Sequence, residues 1–168
     1  RISAARPKIA AYPFTTLAPN LGVVIDEHDR KLVVADIPGL IEGAHTGLGL
    51  GHTFLRHVER SRFLVHILSI EDVNPEDPLA GFHILDEELR QFDPELAGKP
   101  QLRVVNKIDL VDDARLAEVR AAFDRLGLRV YFMSALNEIG VAEVLAAMWT
   151  LHRESVKDGG EIEDGQAD

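Results

Sequence analysis

Short apolar runs alternate with helically spaced apolar residues along most of this chain. Leu21–Ile25 and Leu32–Ala35 are apolar and rich in β-branched residues, and the polar stretch Asp26-Glu27-His28-Asp29-Arg30 separates them. That pattern predicts a β-hairpin with a loop of about five residues. Phe63–Leu68, Leu102–Val105 and Leu128–Phe132 are further apolar runs with the length of buried strands. Three sets fall at spacings of three and four: Leu79, Phe82, Leu85, Leu89 and Phe92; Leu116, Val119, Phe123 and Leu126; Val141, Val144, Leu145, Met148 and Trp149. Each predicts an amphipathic helix, and Gly127 is placed to end the second. A hairpin followed by helices and strands in alternation predicts an α/β fold, with a mostly parallel sheet and helices on both faces.

The 168 residues make about one domain, and 46% hydrophobic with 27% charged residues fits a soluble globular protein rather than a disordered or fibrous one. The chain has no cysteine, which excludes disulfides, thiolate nucleophiles and Cys-ligated metal sites. No apolar run approaches the ~18 residues of a membrane-spanning helix. The opening RISAARPKIA has neither an initiator Met nor an apolar stretch. The expectation is a cytoplasmic protein without a secretory signal, whose given sequence starts inside a longer one. The 18 basic and 28 acidic residues leave a net charge of −10, so the chain as a whole repels a phosphate backbone. Five of those acids fall in the last eleven residues among glycines, which predicts an acidic, disordered tail over 155–168 after a domain over 1–154.

Parallel sheets bind ligands beyond the C-terminal ends of their strands. Asp36-Ile37-Pro38-Gly39 follows the second strand, Asn106-Lys107-Ile108-Asp109 the run at Leu102–Val105, and Ser134-Ala135-Leu136 the run at Leu128–Phe132. Tyr12-Pro13-Phe14-Thr15-Thr16 precedes the first strand. Each motif alone is weak, because Asn, Asp, Gly and Pro dominate ordinary turns. Four in this order, three directly after strands, are not an ordinary coincidence. Their order and identity resemble a translation-factor-type GTPase domain. The longer strings AYPFTTLAPNLGVV, DIPGLIEGAHTGLGLGHTFLRHVERSR and ELAGKPQLRVVNKIDL resemble the Obg family of ribosome-assembly GTPases from Arg1 to about Glu154.

The resemblance implies a P-loop NTPase-type domain, but no Gly-Lys-Ser phosphate loop occurs in the chain. In relatives that loop stands just upstream of a segment like Arg1–Lys8. The sequence therefore reads as lacking the first strand, the backbone cradle for phosphates, its lysine, and one hydroxyl ligand to Mg²⁺. The remaining motifs imply a GTP/GDP site formed by Phe14, Thr15, Thr16, Leu17, Ala18, Asp36, Ile37, Pro38, Gly39, Asn106, Lys107, Ile108, Asp109, Ser134, Ala135 and Leu136. Asp109 would accept from guanine N1–H and the exocyclic amine, a donor pair that adenine lacks. Asn106 and Lys107 would touch the base and its ring, and the Ala135 N–H would donate to guanine O6, in a turn ordered by Ser134. Asp36 would hold Mg²⁺ through water and Thr16 directly, with Thr15 the alternative. Gly39 would offer its N–H to the γ-phosphate.

Leu40 stands where many GTPases carry a water-orienting Gln, and an apolar side chain cannot do that. No catalytic residue is assigned; Glu42, His45 and Thr46 are polar neighbours. Relatives with an apolar residue here are sometimes assisted by K⁺. Gly43, Gly47, Gly49 and Gly51 give the second switch segment the backbone freedom that a switch needs. His52 and His57 are spaced wrongly to share a helix face, so a metal site is not expected there. Arg56, His57, Arg60 and Arg62 form a basic run, read as a solvated face or as an RNA contact. The resemblance implies a monomeric GTPase that hydrolyses GTP slowly and acts as a switch in assembly of the large ribosomal subunit, with that subunit or its rRNA as partner. The alternative is a non-hydrolysing interaction domain that retains the guanine-site motifs. An adenine-nucleotide enzyme of the same fold is a third reading, which Asp109 opposes.

Overall fold

The computed structural model describes residues 20–36 and 61–158, and within those limits each predicted run or stripe gives rise to an element. The order is β1 (Asn20–Ile25), β2 (Lys31–Asp36), β3 (Leu64–Ser69), α1 (Ala80–Phe92), the short α2 (Pro94–Ala97), β4 (Gln101–Asn106), α3 (Asp113–Arg125), β5 (Tyr131–Phe132) and α4 (Val141–Asp158). β1 and β2 are the expected antiparallel hairpin, with Val24 opposite Leu32. Asp26 organises its loop. The Asp26 carboxylate accepts from the His28 and Arg30 N–H groups, both at 2.9 Å, and from Arg30 Nε at 2.6 Å. A short side chain that bonds its own backbone two residues on is the usual turn device.

β3, β4 and β5 form a parallel sheet with β4 in the middle. Successive β4 side chains point to opposite faces. Leu102 and Val104 lie in a core with Val144 and Met148 of α4, while Val105 lies in a second core with Phe82 of α1 and Val119 and Phe123 of α3. Phe123 makes edge-to-face contacts with Phe82 at 6.2 Å and Phe132 at 6.0 Å, an arrangement favoured by the ring quadrupoles. Helices on both faces of a parallel sheet are the architecture expected from the periodicity.

Among the described residues no backbone ladder joins β2 to β3, so the strands lie in two sheets. They share one core nonetheless. Val24 and Leu32 of the hairpin pack in the same cluster as Leu102, Val104 and Met133, with α4 laid across both.

Helix ends follow local chemistry. Asp112 caps α3 by accepting from the Arg115 N–H at 2.8 Å, and Asp93 caps α2 by accepting from Glu95 and Leu96. Gly127 follows α3 at φ 65°, and its N–H bonds the Asp124 carbonyl while Leu128 N–H reaches that of Phe123. This is a Schellman closure. It also bears on a correction. The strand expected over Leu128–Phe132 pairs only at Tyr131 and Phe132, and Leu128 at its expected start gives its N–H to the helix cap instead. α4 runs to Asp158, beyond the Glu154 boundary read from the sequence, and 159–168 lie outside the described residues. No helix among the described residues is long and apolar enough to cross a membrane.

One ionic cluster sits inside the second face. His66 of β3 and Arg103 of β4 are register partners, and Asp86 of α1 reaches both, with its carboxylate 3.3 Å from His66 Nδ1 and 3.0 Å from Arg103 Nη2. Arg103 also lies over the Phe82 ring. Burial pushes the His66 pKa down and the Arg103 charge adds to this, while Asp86 opposes it. The folded state therefore favours neutral His66. Its contribution to stability is fully present above the ordinary histidine value of 6.5 and is lost as pH falls through the lowered folded value. Urea unfolding of the wild type at a series of pH values between neutrality and about pH 5 should show stability falling toward acid. In His66→Gln that part of the slope should disappear. An unchanged slope would mean that His66 binds its proton equally readily in the folded and the unfolded chain.

Candidate functional site

The strand-end residues converge at the C-terminal end of the parallel sheet. β4 ends in Asn106, and Lys107 then takes a left-handed backbone at φ 62°, ψ 33°. This costs a non-glycine residue about 1 kcal/mol or more. The turn it makes drops Ile108 into the core beside Val105 and Phe123, with the Ile108 N–H donating to the Met133 carbonyl at 3.3 Å. A 3₁₀ turn over Ile108–Leu110 follows, closed by Leu110 N–H on the Lys107 carbonyl at 3.0 Å. Asp109 is thereby left half-buried at the top of the sheet, while the Lys107 side chain is exposed.

The second half of the site comes from the end of β5. The Met133 N–H donates to the Val105 carbonyl at 2.9 Å, carrying the chain along β4 for one more residue. Ser134 is then fully buried. Its hydroxyl donates to Asp109 Oδ1 and accepts from the Asn137 N–H at 3.1 Å. The Ala135 N–H donates to Asn106 Oδ1 at 3.0 Å. The two motifs are thus joined by two direct bonds, donated by Ser134 and Ala135 and accepted by Asp109 and Asn106, at sequence separations of 25 and 29. The loop returns through reciprocal backbone bonds between Ser134 and Ile139, at 2.9 and 3.2 Å, with Glu138 at φ 61° and Gly140 at φ 70°. Leu110, Leu136 and Ile139 leave exposed apolar surface around it.

A carboxylate oxygen has two lone pairs, so the bond from Ser134 orients the Asp109 carboxylate without exhausting it. What remains is an acceptor pair on a fixed plane, suited to two parallel N–H donors of a planar ligand.

Asp36 ends β2, in the other sheet, and its side chain is exposed. Among the described residues its carboxylate takes part in no ion pair or side-chain hydrogen bond. A free, hard oxygen donor at a strand end fits Mg²⁺, which commonly takes one or two protein carboxylates and completes its shell with water and phosphate. Among the described residues no group of three or more His, Asp or Glu is gathered as a protein-only metal cage. Phe14, Thr15, Thr16, Leu17, Ala18, Ile37, Pro38 and Gly39 lie outside the described residues, as do Leu40, the glycines of 43–51, and Arg56, His57 and Arg60. Arg62 is described and exposed.

The sequence reading overlooked Met133, Asn137 and Gly140. Met133 and Asn137 contribute only backbone groups, which no residue type announces. Gly140 had a signal: it directly precedes a strong helical stripe, but a glycine there also reads as an ordinary helix boundary.

A family model for 50S ribosome-binding GTPases matches residues 1–107. The chain is 61% identical over 153 residues to the GTPase Obg of Nitratidesulfovibrio vulgaris strain DP4, covering 90% of this chain and 42% of that protein. It is 51% identical over 156 residues to that of Symbiobacterium thermophilum, covering 92% and 37%, and 47% identical over 155 residues to that of Aquifex aeolicus, covering 92% and 45%. The chain thus spans about two fifths of the length of these relatives. Among solved structures, an apo-form GTPase from Pyrococcus abyssi aligns at TM-score 0.41 and 14% identity over 61% of this chain and 53% of that one, too loosely to bear on the fold. The parallel sheet, the paired strand-end loops and the match over most of the chain agree, and the chain belongs to the 50S ribosome-binding GTPase family.

Proposed function

We propose that the chain through the end of α4 is the guanine-nucleotide-binding part of an Obg-type GTPase, which binds GTP and GDP with Mg²⁺ and hydrolyses GTP slowly, and that the acidic stretch after α4 is a tail. The observation that carries this reading is the hydrogen-bonded pairing of Asp109 with Ser134 and of Asn106 with Ala135. It gives an oriented carboxylate beside a backbone N–H. Guanine offers the matching edge, with N1–H and the exocyclic amine as donors and O6 as an acceptor. Adenine would leave the base-facing lone pairs of the half-buried carboxylate unpaired, with only the Ser134 hydroxyl bonded to it, and an unpaired polar group is costly. The Ala135 N–H already serves Asn106, so guanine O6 would share it in a three-centre bond.

Phe14–Ala18 and Ile37–Gly39 are proposed to line the phosphate side. Asp36 and Thr16 would hold Mg²⁺, and the ion would offset charge on the phosphates. With Leu40 after Gly39, water must be oriented by another group, and K⁺ is the candidate helper. The family's own description supports the large ribosomal subunit as partner. The role proposed is a switch in assembly of that subunit, in the cytoplasm and as a monomer.

Two experiments test the reading. Triphosphate binding relies on the phosphate loop, and no Gly-Lys-Ser occurs in these 168 residues. This chain alone should show no measurable Mg²⁺-dependent phosphate release from GTP. Steady turnover would place the chemistry elsewhere and remove the stated need for that loop.

The second uses the same chain joined ahead of Arg1 to a segment carrying the expected first strand and its Gly-Lys-Ser phosphate loop; this is the loop-bearing form. Asp109→Asn puts an amide donor against the guanine amine. Competition binding should show GTP affinity falling on the order of a hundredfold, with XTP gained and ATP still ignored. GTP affinity within about threefold of wild type would show that Asp109 does not read the base, and the guanine assignment would lose its strongest residue.

A further inference from the structure

Two glycines among the described residues have a left-handed backbone, and they differ in what they require. At Gly127, φ 65°, a Cβ would meet nothing within 4 Å, so only the backbone conformation matters. At Gly140, φ 70°, a Cβ would stand 2.2 Å from the Phe132 carbonyl oxygen and 3.2 Å from Met133 Cα. Both obstacles are backbone, not the far end of a flexible side chain. Phe132 cannot retreat, because it is paired with Val105 in the sheet, and Met133 N–H is bonded to the Val105 carbonyl. Any side chain at position 140 must therefore push the loop away from β5.

What that shift would break is specific. The residue before Gly140 closes the loop through the two Ser134–Ile139 backbone bonds. Ser134 is fully buried, and its hydroxyl holds Asp109 Oδ1 while accepting from Asn137 within the same loop. Opening the closure frees the hydroxyl, and the Asp109 carboxylate loses the contact that fixes its plane. We propose that Gly140 is a positioning residue for base selectivity: its bare Cα lets the Ser134–Ile139 closure form, and that closure aims Asp109 at a purine carrying both N1–H and a 2-amino group. The inference rests on the guanine-site reading above and adds to it the residue that sets discrimination.

Hypoxanthine isolates the effect. It shares N1–H and O6 with guanine but lacks the amine, so the ratio of GDP to IDP affinity reports how well the carboxylate is aimed. A residue that merely stabilises the fold would lower both affinities together and leave the ratio alone.

The test is calorimetric binding of GDP and IDP to the loop-bearing form. Wild type should prefer GDP on the order of tenfold or more, as expected for a hydrogen bond to a charged acceptor. In Gly140→Ala the preference should fall to within about threefold, chiefly through weaker GDP binding. Gly127→Ala is the control for backbone strain; it should lower the unfolding temperature and keep the wild-type ratio. Equal weakening of both ligands by Gly140→Ala, with the ratio intact, overturns the proposal and leaves Gly140 a structural residue. Should Gly140→Ala fail to fold, Ser134→Ala adds no atoms and carries the test. The ratio must collapse there too, since an unchanged ratio leaves Gly140 nothing to act through. A wild type that binds both nucleotides equally overturns the guanine-site reading itself, and the proposal with it.

Discussion

Strand β4 presents Leu102 and Val104 to one helical layer and Val105 to another, and all three are buried. A strand buried on both faces has no freedom to slip, because moving it by one residue would exchange the two faces and place Arg103 where Val104 lies. The fixed register determines where the strand stops. Asn106 is its last residue, and the chain must turn there before Ile108 can re-enter the core. The geometry of the base-reading loop follows from this burial. Asn106 faces Ala135, and Asp109 faces Ser134, because β5 is held against the same strand at Val104 and Val105.

Much of this was legible in the sequence, for identifiable reasons. The hairpin was readable because Asp26–Arg30 is uniformly polar between two β-branched runs. The three long helices were readable because each buries a stripe, for example Phe82 and Leu89 in α1 or Val119 and Phe123 in α3. The strand-end motifs were readable because their side chains carry chemistry. What escaped was geometry made by the backbone. Nothing in Leu128-Arg129-Val130 reveals that a helix cap has taken the N–H a strand would need. Lys107 in a left-handed conformation is contrary to its type, and the pull of Ile108 into the core is a tertiary effect. Gly140 was visible as a glycine, but its indispensability depends on the Phe132 carbonyl, which is brought there by sheet pairing.

The electrostatics of the site end complement that framework. The loops after β3, β4 and β5 carry Glu71, Asp72, Glu76, Asp77, Asp109, Asp112 and Glu138, with Lys107 as the nearby exposed cation of the base motif. A polyphosphate approaching this rim meets repulsion in water, screened within roughly 10 Å by salt. Affinity must then come from close, directed contacts and from a bound cation, not from the field of the domain as a whole. That places unusual weight on the orientation of a few groups, Asp109 first among them.

The way α4 spans both sheets sets the order in which the chain can become safe from its surroundings. Val24 and Leu32 find Val144 and Met148 only after more than a hundred intervening residues have been made. The hairpin forms from local contacts within microseconds, and a lone hairpin is marginal in water. During synthesis it must therefore wait, with Leu21, Val23, Ile25 and Val33 exposed on one side and its future core residues uncovered on the other. At the usual rate of elongation that interval lasts on the order of ten seconds, long on the scale of encounter between nascent chains. The polar, charged loop from Asp26 to Arg30 is the hairpin's own protection during this period, and the arrival of α4 is what ends it.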